Sequence, residues 1–107
     1  MSKQYNKLVR DKIPEIIESN GETPIFRTLN NEEYREQLEK KLYEEYNEVL
    51  MAKDSKNRIE ELADMLEIIS CLSKLENKTL DDVIEVAKQK NIKRGSFEKR
   101  IYLEEVL

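Results

Sequence analysis

Two pairs of acidic residues carry the chemistry that this sequence offers. Glu45 and Glu48 form a Glu-x-x-Glu step, and Glu61 and Asp64 form a Glu-x-x-Asp step a short way downstream. On a helix, residues three apart lie on neighbouring turns of one face, so each pair makes a two-carboxylate claw. Four carboxylates held close together repel and take up protons unless a cation lies among them. A donor set made only of oxygen suits Mg2+ or Ca2+. In a chain with 23 acidic residues the same spacings also arise as solvated surface pairs, so the positions of the acids on their helices must decide.

The elements that would carry them are two long helices, expected over about 31–53 and 57–76. Projected at about 100° per residue, Leu38, Leu42, Tyr46 and Val49 share the buried face of the first. Glu45 falls inside that face, Glu48 at its margin and Glu44 toward solvent. The second helix has a narrow polar arc of Glu60, Glu67, Ser70 and Lys74, which predicts a central helix nearly surrounded by others. Glu61 nevertheless projects between Ile68 and Leu72, and Asp64 beside Leu75. An ionised carboxylate in such surroundings costs on the order of several kcal/mol unless it is compensated. That placement favours the metal-binding reading of Glu45, Glu61 and Asp64 over the solvated one.

Around these helices the pattern is helical throughout. Pro14 suits the first turn of a short helix over about 13–20, stopped by Asn20-Gly21. Residues 22–29 read as an extended connection. Asn30 with Glu33 forms a capping box for the 31–53 helix. Asp54-Ser55-Lys56-Asn57 reads as a turn and Asn77-Lys78 as a break. Thr79 with Asp82 caps a further helix to about residue 91, and Gly95 ends the helical pattern. The tail 96–107 is ambiguous, with Phe97, Ile101 and Leu103 as candidate anchors. Charged residues make up 39% and hydrophobic ones 38%, with two Gly and two Pro, a composition suited to amphipathic helices. The expected fold is all-α: one domain spanning 1–107, an antiparallel bundle of about four helices that oligomerises to complete a modest core.

Several function classes are excluded. There is no histidine, which removes Ser-His and Cys-His catalysis and the usual zinc sites. The single cysteine, Cys71, sits in an apolar run and reads as a core thiol. No apolar stretch approaches the roughly 20 residues that span a bilayer. No signal-peptide pattern opens the chain, so a cytoplasmic protein without a membrane partner is expected. Net charge is −4, but unevenly spread. Residues 1–12 and 88–100 are basic, whereas 32–67 holds twelve acids and six bases. Basic ends around an acidic centre suit a ligand that is both anionic and metal-bound. An acidic centre and the lack of a recognised motif speak against nucleic acid.

At the two acidic pairs the chain resembles the all-α nucleoside triphosphate pyrophosphohydrolases, the MazG-like group. The matching residues are Glu45-Tyr46-Asn47-Glu48 and Glu61-Leu62-Ala63-Asp64. Tyr5 to Pro14 (Tyr-Asn-Lys-Leu-Val-Arg-Asp-Lys-Ile-Pro) and Lys93-Arg94-Gly95-Ser96-Phe97 are similar to a small stand-alone subgroup described as phosphoribosyl-ATP pyrophosphohydrolase-like. The resemblance implies a metal site of Glu45, Glu48, Glu61 and Asp64 holding Mg2+, with Mn2+ as the alternative. It also implies cleavage of a nucleoside triphosphate to monophosphate and pyrophosphate. Phosphoribosyl-ATP hydrolases proper carry a histidine after the second acidic pair, where this chain has Glu67-Ile68. Non-standard or surplus nucleotides are therefore the expected substrates, ahead of a role in histidine biosynthesis.

Within that expectation Glu45, deepest in the apolar face, is the choice for aligning or deprotonating the attacking water. Lys88, Lys93 and Arg94, with Lys7, Arg10 and Lys12 as a second group, are the candidates to bind phosphate. Lys90, Lys99 and Arg100 read as surface charge. Tyr46 and Phe97 read as core residues ahead of base-stacking ones. A homodimer or homotetramer is the expected assembly. A non-catalytic, metal-dependent nucleotide-binding module and a helical interaction domain are the competing readings.

Overall fold

The computed structural model describes residues 3–107, so the first two residues of the basic 1–12 stretch lie outside it. Four helices follow in order: α1 (Ile13–Ser19), α2 (Asn31–Met51), α3 (Ser55–Leu75) and α4 (Leu80–Arg94). No strand occurs among the described residues, and the fold is all-α.

Each long helix begins where a side chain can satisfy its free amide groups. At α2, the Asn30 side chain accepts from the Glu33 amide at 2.9 Å, completing the capping box that the sequence predicts. Arg27 grips the Glu33 carboxylate with two donors at 3.2 and 2.7 Å, fixing the extended connection to the helix start. That guanidinium, followed by the Asn30 amide, holds the Glu33 carboxyl below its ordinary range. α4 opens on the expected Thr79/Asp82 box. α3 starts earlier than expected, because Asp54 is a cap and not part of a turn: its side chain accepts from the Asn57 amide at 2.8 Å. α4 runs on to Arg94, past residue 91, and Gly95 then turns out at φ 82°.

Only Ala52, Lys53 and Asp54 separate α2 from α3, and a connection this short forces an antiparallel hairpin. Arg35, near the start of α2, reaches Glu76, the cap of α3, at 2.9 Å, which sets the register. Leu38 and Ile68 are the buried apolar residues of the seam. Asn77 at φ 59° closes α3, with the Lys78 amide donating to Ser73 and the Asn77 amide to Lys74, both at 3.0 Å. These are the paired bonds of a Schellman ending.

α4 packs on α3 alone, and every one of its residues beyond Leu80 is exposed. α3 is therefore not the surrounded helix that its narrow polar arc suggests. A single hairpin partner covers only part of its circumference, leaving Ile59, Leu62 and Leu66 in solvent. Nor are the tail anchors anchored: Phe97, Ile101 and Leu103 are all largely exposed. The chain is long and open, 64 × 35 × 24 Å, with a radius of gyration of 18.4 Å. A compact domain of this length has a radius near ~13 Å. No helix among the described residues is long and apolar enough to cross a membrane.

Two substitutions test this account of the hairpin. Leu38→Ala is expected to cost about 3 kcal/mol of unfolding free energy, as for other buried leucines. Asn30→Ala should cost about 1 kcal/mol through the lost cap. Urea denaturation followed by circular dichroism reads both.

Candidate metal centre

The antiparallel hairpin brings Glu45 of α2 to Glu61 and Asp64 of α3, with Glu48 farther along beside Glu61. Glu45 lies on the α2 face that carries Leu38, Leu42 and Val49, so it points into the seam. Glu61 and Asp64 approach from α3. Each of the three offers a carboxylate oxygen, and these oxygens lie within 4.8 Å of one another. All three residues are half-buried.

The electrostatic consequence falls on Glu45. Partial burial, then hydrogen bonding to Glu61 and the charges of Asp64 and Glu61, push its carboxyl from the ordinary 4.5 up to about 7. Lys41, one turn earlier on α2, works in the opposite direction. Arg10 reaches in from the segment before α1 and donates to Asp64 at 2.7 Å. The seam thus gathers negative charge and already draws a cation from a distant part of the chain.

A divalent cation fits these residues. Two oxygens bound to one Mg2+ at about 2.1 Å each lie no more than about 4.2 Å apart. Small side-chain rotations would bring the observed trio into that range. An oxygen-only donor set also excludes the softer metals.

Of the four expected ligands, Glu45, Glu61 and Asp64 come together, and Glu48 stands apart. It is exposed and shares with Glu61 the wall of an open hollow of about 330 Å³, completed by Met51, Ala52, Lys53 and Asn57. Its marginal place on the helical projection is reproduced.

The expected phosphate-binding bases divide. Arg10 is at the site. Lys7 instead stands over the Tyr5 ring, 5.7 Å from its centre, and Lys12 is the exposed residue that precedes α1. Lys88, Lys93 and Arg94 stay on exposed α4, with no ion pair to the acids among the described residues. Lys93 and Arg94 occupy its last turn, where cations favour the helix dipole.

Tyr46 and Phe97 are both exposed and belong to no core. Cys71 is half-buried and its thiol donates to Glu67 at 3.6 Å; its proximity, with burial, pushes the Tyr34 hydroxyl up to about 12. Three further residues were not singled out from the sequence: Lys41, Lys53 and Asn57. Lys41 was legible from its spacing to Glu45, since residues four apart meet on a helix. Lys53 and Asn57 enter only through the sharp α2–α3 connection.

The chain is 50% identical over 46 residues to an uncharacterized protein of Mycolicibacterium smegmatis, a match covering 43% of this chain and 47% of that protein. It thus spans about half the length of the curated relative it matches. No protein-family model matches the chain. No solved structure matches it.

The raised carboxyl of Glu45 means that the folded chain holds its proton more tightly than the unfolded chain does. Its ionised form therefore lowers stability, fully above about pH 7 and not at all well below 4.5. Glu45→Gln is expected to raise the melting temperature in EDTA at mildly alkaline pH, by roughly a few degrees. The same variant should lose the stabilisation by Mg2+ or Mn2+ expected of the unaltered protein. Arg10→Ala, which removes an exposed competitor worth up to about 1 kcal/mol, should tighten Mn2+ binding by up to about fivefold in calorimetry.

Proposed function

We propose that this chain is a Mg2+-dependent nucleoside triphosphate pyrophosphohydrolase of the MazG-like kind. It would act in the cytoplasm on non-standard or surplus nucleotides. The observation that carries the proposal is the meeting of Glu45, Glu61 and Asp64 in one seam, as the two acidic motifs of that group require. Mn2+ is the alternative ion.

Glu61 and Asp64 are the residues best placed to hold the cation, with Glu45 completing the set. When bound, Mg2+ neutralises charge on the phosphates and lowers the pKa of water. Glu45 is assigned the proton of the attacking water, since it is the α2 carboxylate that meets the two α3 acids in the seam. Water adds to the α-phosphorus, the bond from that phosphorus to the bridging oxygen breaks, and pyrophosphate leaves with the electron pair.

Arg10 has the fork geometry to move from Asp64 to a phosphate once a cation neutralises the acids. Lys53, on the hollow beside Glu48 and Glu61, supplies a second positive charge at the same end of the hairpin. The hollow is wide and open, which suits the solvated phosphate chain of a nucleotide better than a buried apolar ligand.

A panel of nucleoside triphosphates with Mg2+, assayed for pyrophosphate and monophosphate, tests this reading. Turnover is expected for some members of the panel. Glu61→Ala should lower it by about 100-fold or more while the helical circular dichroism spectrum persists, since several kcal/mol of charge stabilisation are lost. Binding without turnover would assign the chain to nucleotide sensing instead. Failure to bind either metal or nucleotide would sink the enzymatic reading.

A further inference from the structure

We propose that Tyr5 is the residue on which the nucleobase of the substrate stacks, with Lys3 and Lys7 beside it as partners for the phosphates. That role presupposes the pyrophosphohydrolase reading and assigns the part of the chain that meets the base. The Lys3 ammonium stands 5.2 Å from the centre of the Tyr5 ring and that of Lys7 stands 5.7 Å from it. Between them, the Asn6 side-chain amide donates to the Gln4 side chain at 3.4 Å. Asn6 itself takes φ 46°, a left-handed conformation that asparagine tolerates better than most residues, and bends the segment at that point. The result is an aromatic ring between two cations. A ring face that draws ammonium groups is rich in electron density, and flat bases stack on such faces. Tyr5 is 60% exposed and fills no core.

The segment that carries this ring is laid against the candidate metal centre. Arg10 donates to Asp64 at 2.7 Å, and Leu8 is half-buried. Asp11 lies close enough to Tyr34 of α2 for its charge to act on that hydroxyl. From Leu8 onward the chain is thus held to the hairpin, and Tyr5 stands free just before it. A fully extended chain advances at most about 3.6 Å per residue, so the Cα of Tyr5 lies within about 18 Å of that of Arg10. A nucleotide whose phosphates meet the acids and Arg10 projects its base outward by a comparable reach, through the phosphate chain and the sugar. Tyr46 and Phe97 are exposed too, but no cation stands over either ring among the described residues. Tyr5 alone of these three combines an open ring, adjacent cations and a tether to Asp64.

The chemistry suits a broad substrate range. Stacking tolerates every base, because each has a π face, and it discriminates mainly by the strength of overlap. A purine is therefore held more firmly than a pyrimidine. As the base takes its place on the ring, the Lys3 and Lys7 ammonium groups are at hand for the phosphates.

Calorimetric titration of the full chain with Mg2+ tests the proposal. The probes are the α,β-methylene analogues of adenosine and uridine triphosphate, and inorganic tripolyphosphate, which has no base. Both nucleotide analogues are expected to bind more tightly than tripolyphosphate. Tyr5→Ala should raise the dissociation constant of the adenosine analogue by about tenfold or more, that of the uridine analogue by less, and leave that of tripolyphosphate unchanged. Tyr5→Phe, which keeps the ring, should bind all three as the unaltered protein does, whereas Tyr5→Leu should behave as Tyr5→Ala. Tyr5 lies outside every helix, so each variant should keep the helical spectrum. Equal weakening of all three probes by Tyr5→Ala would mean that the residue only places the Arg10 segment, and would overturn the proposal. Unchanged nucleotide affinity in Tyr5→Ala would overturn it as well, while turnover of the nucleotide panel would leave the enzymatic reading standing. If the unaltered protein binds none of the probes, both fall together.

Discussion

Glu45, Glu61 and Asp64 share a seam whose other occupants are mostly apolar, and their mutual repulsion is the term to which the rest of the hairpin must answer. Partial removal from water, with like charges this close, drives one carboxyl toward its neutral form. Glu45 is that carboxyl, because it is the one α2 aims inward while α3 supplies two acids against it. A seam built only for stability would carry leucine at these positions. The acids stand in a place where they cost free energy, and carboxyls shifted in this way gather at functional sites more often than elsewhere.

Holding them there is the task of features at the far end of the hairpin. Arg35 and Glu76 join the open ends of α2 and α3, while the Asp54 cap and the three-residue connection close the other end. A hairpin pinned at both ends cannot slide by one turn, which would carry Glu45 away from Asp64. Individually these exposed contacts contribute little, since surface ion pairs rarely exceed about 1 kcal/mol. Their value lies in choosing one register among several that bury similar apolar area.

Much of this was legible in the sequence, for reasons that differ by residue. The capping boxes at Asn30 and Thr79 are local chemistry, complete within four residues, so they read directly and occur as read. Asp54 read as a turn because aspartate bonds nearby amides in turns and caps alike, and only the helix that follows separates the two. Glu45, Glu61 and Asp64 stood out because their neighbours on the helical projection are apolar, and Glu48 stood out least for the same reason. Arg10 was one of several equivalent bases until the fold brought it to Asp64, 54 positions away. No local pattern encodes such a pairing. Lys88, Lys93 and Arg94, the expected phosphate binders, make no ion pair with the acids among the described residues; an amphipathic pattern such as Leu80, Val83, Ile84 and Ala87 states that a face can be covered, not by what.

That last distinction bears on how a chain of 107 residues can keep a charged seam at all. Leu38 and Ile68 are the buried apolar residues among those described, a small core for a helical domain. A core so slight offers little reserve against the repulsion of three acids. Tyr43, Leu50, Leu62 and Leu66 stay exposed on the hairpin, so their apolar area adds nothing of the roughly 25 cal/mol per Å² that burial contributes. A hairpin this thinly buried holds its acids in place by register contacts and helix capping more than by burial.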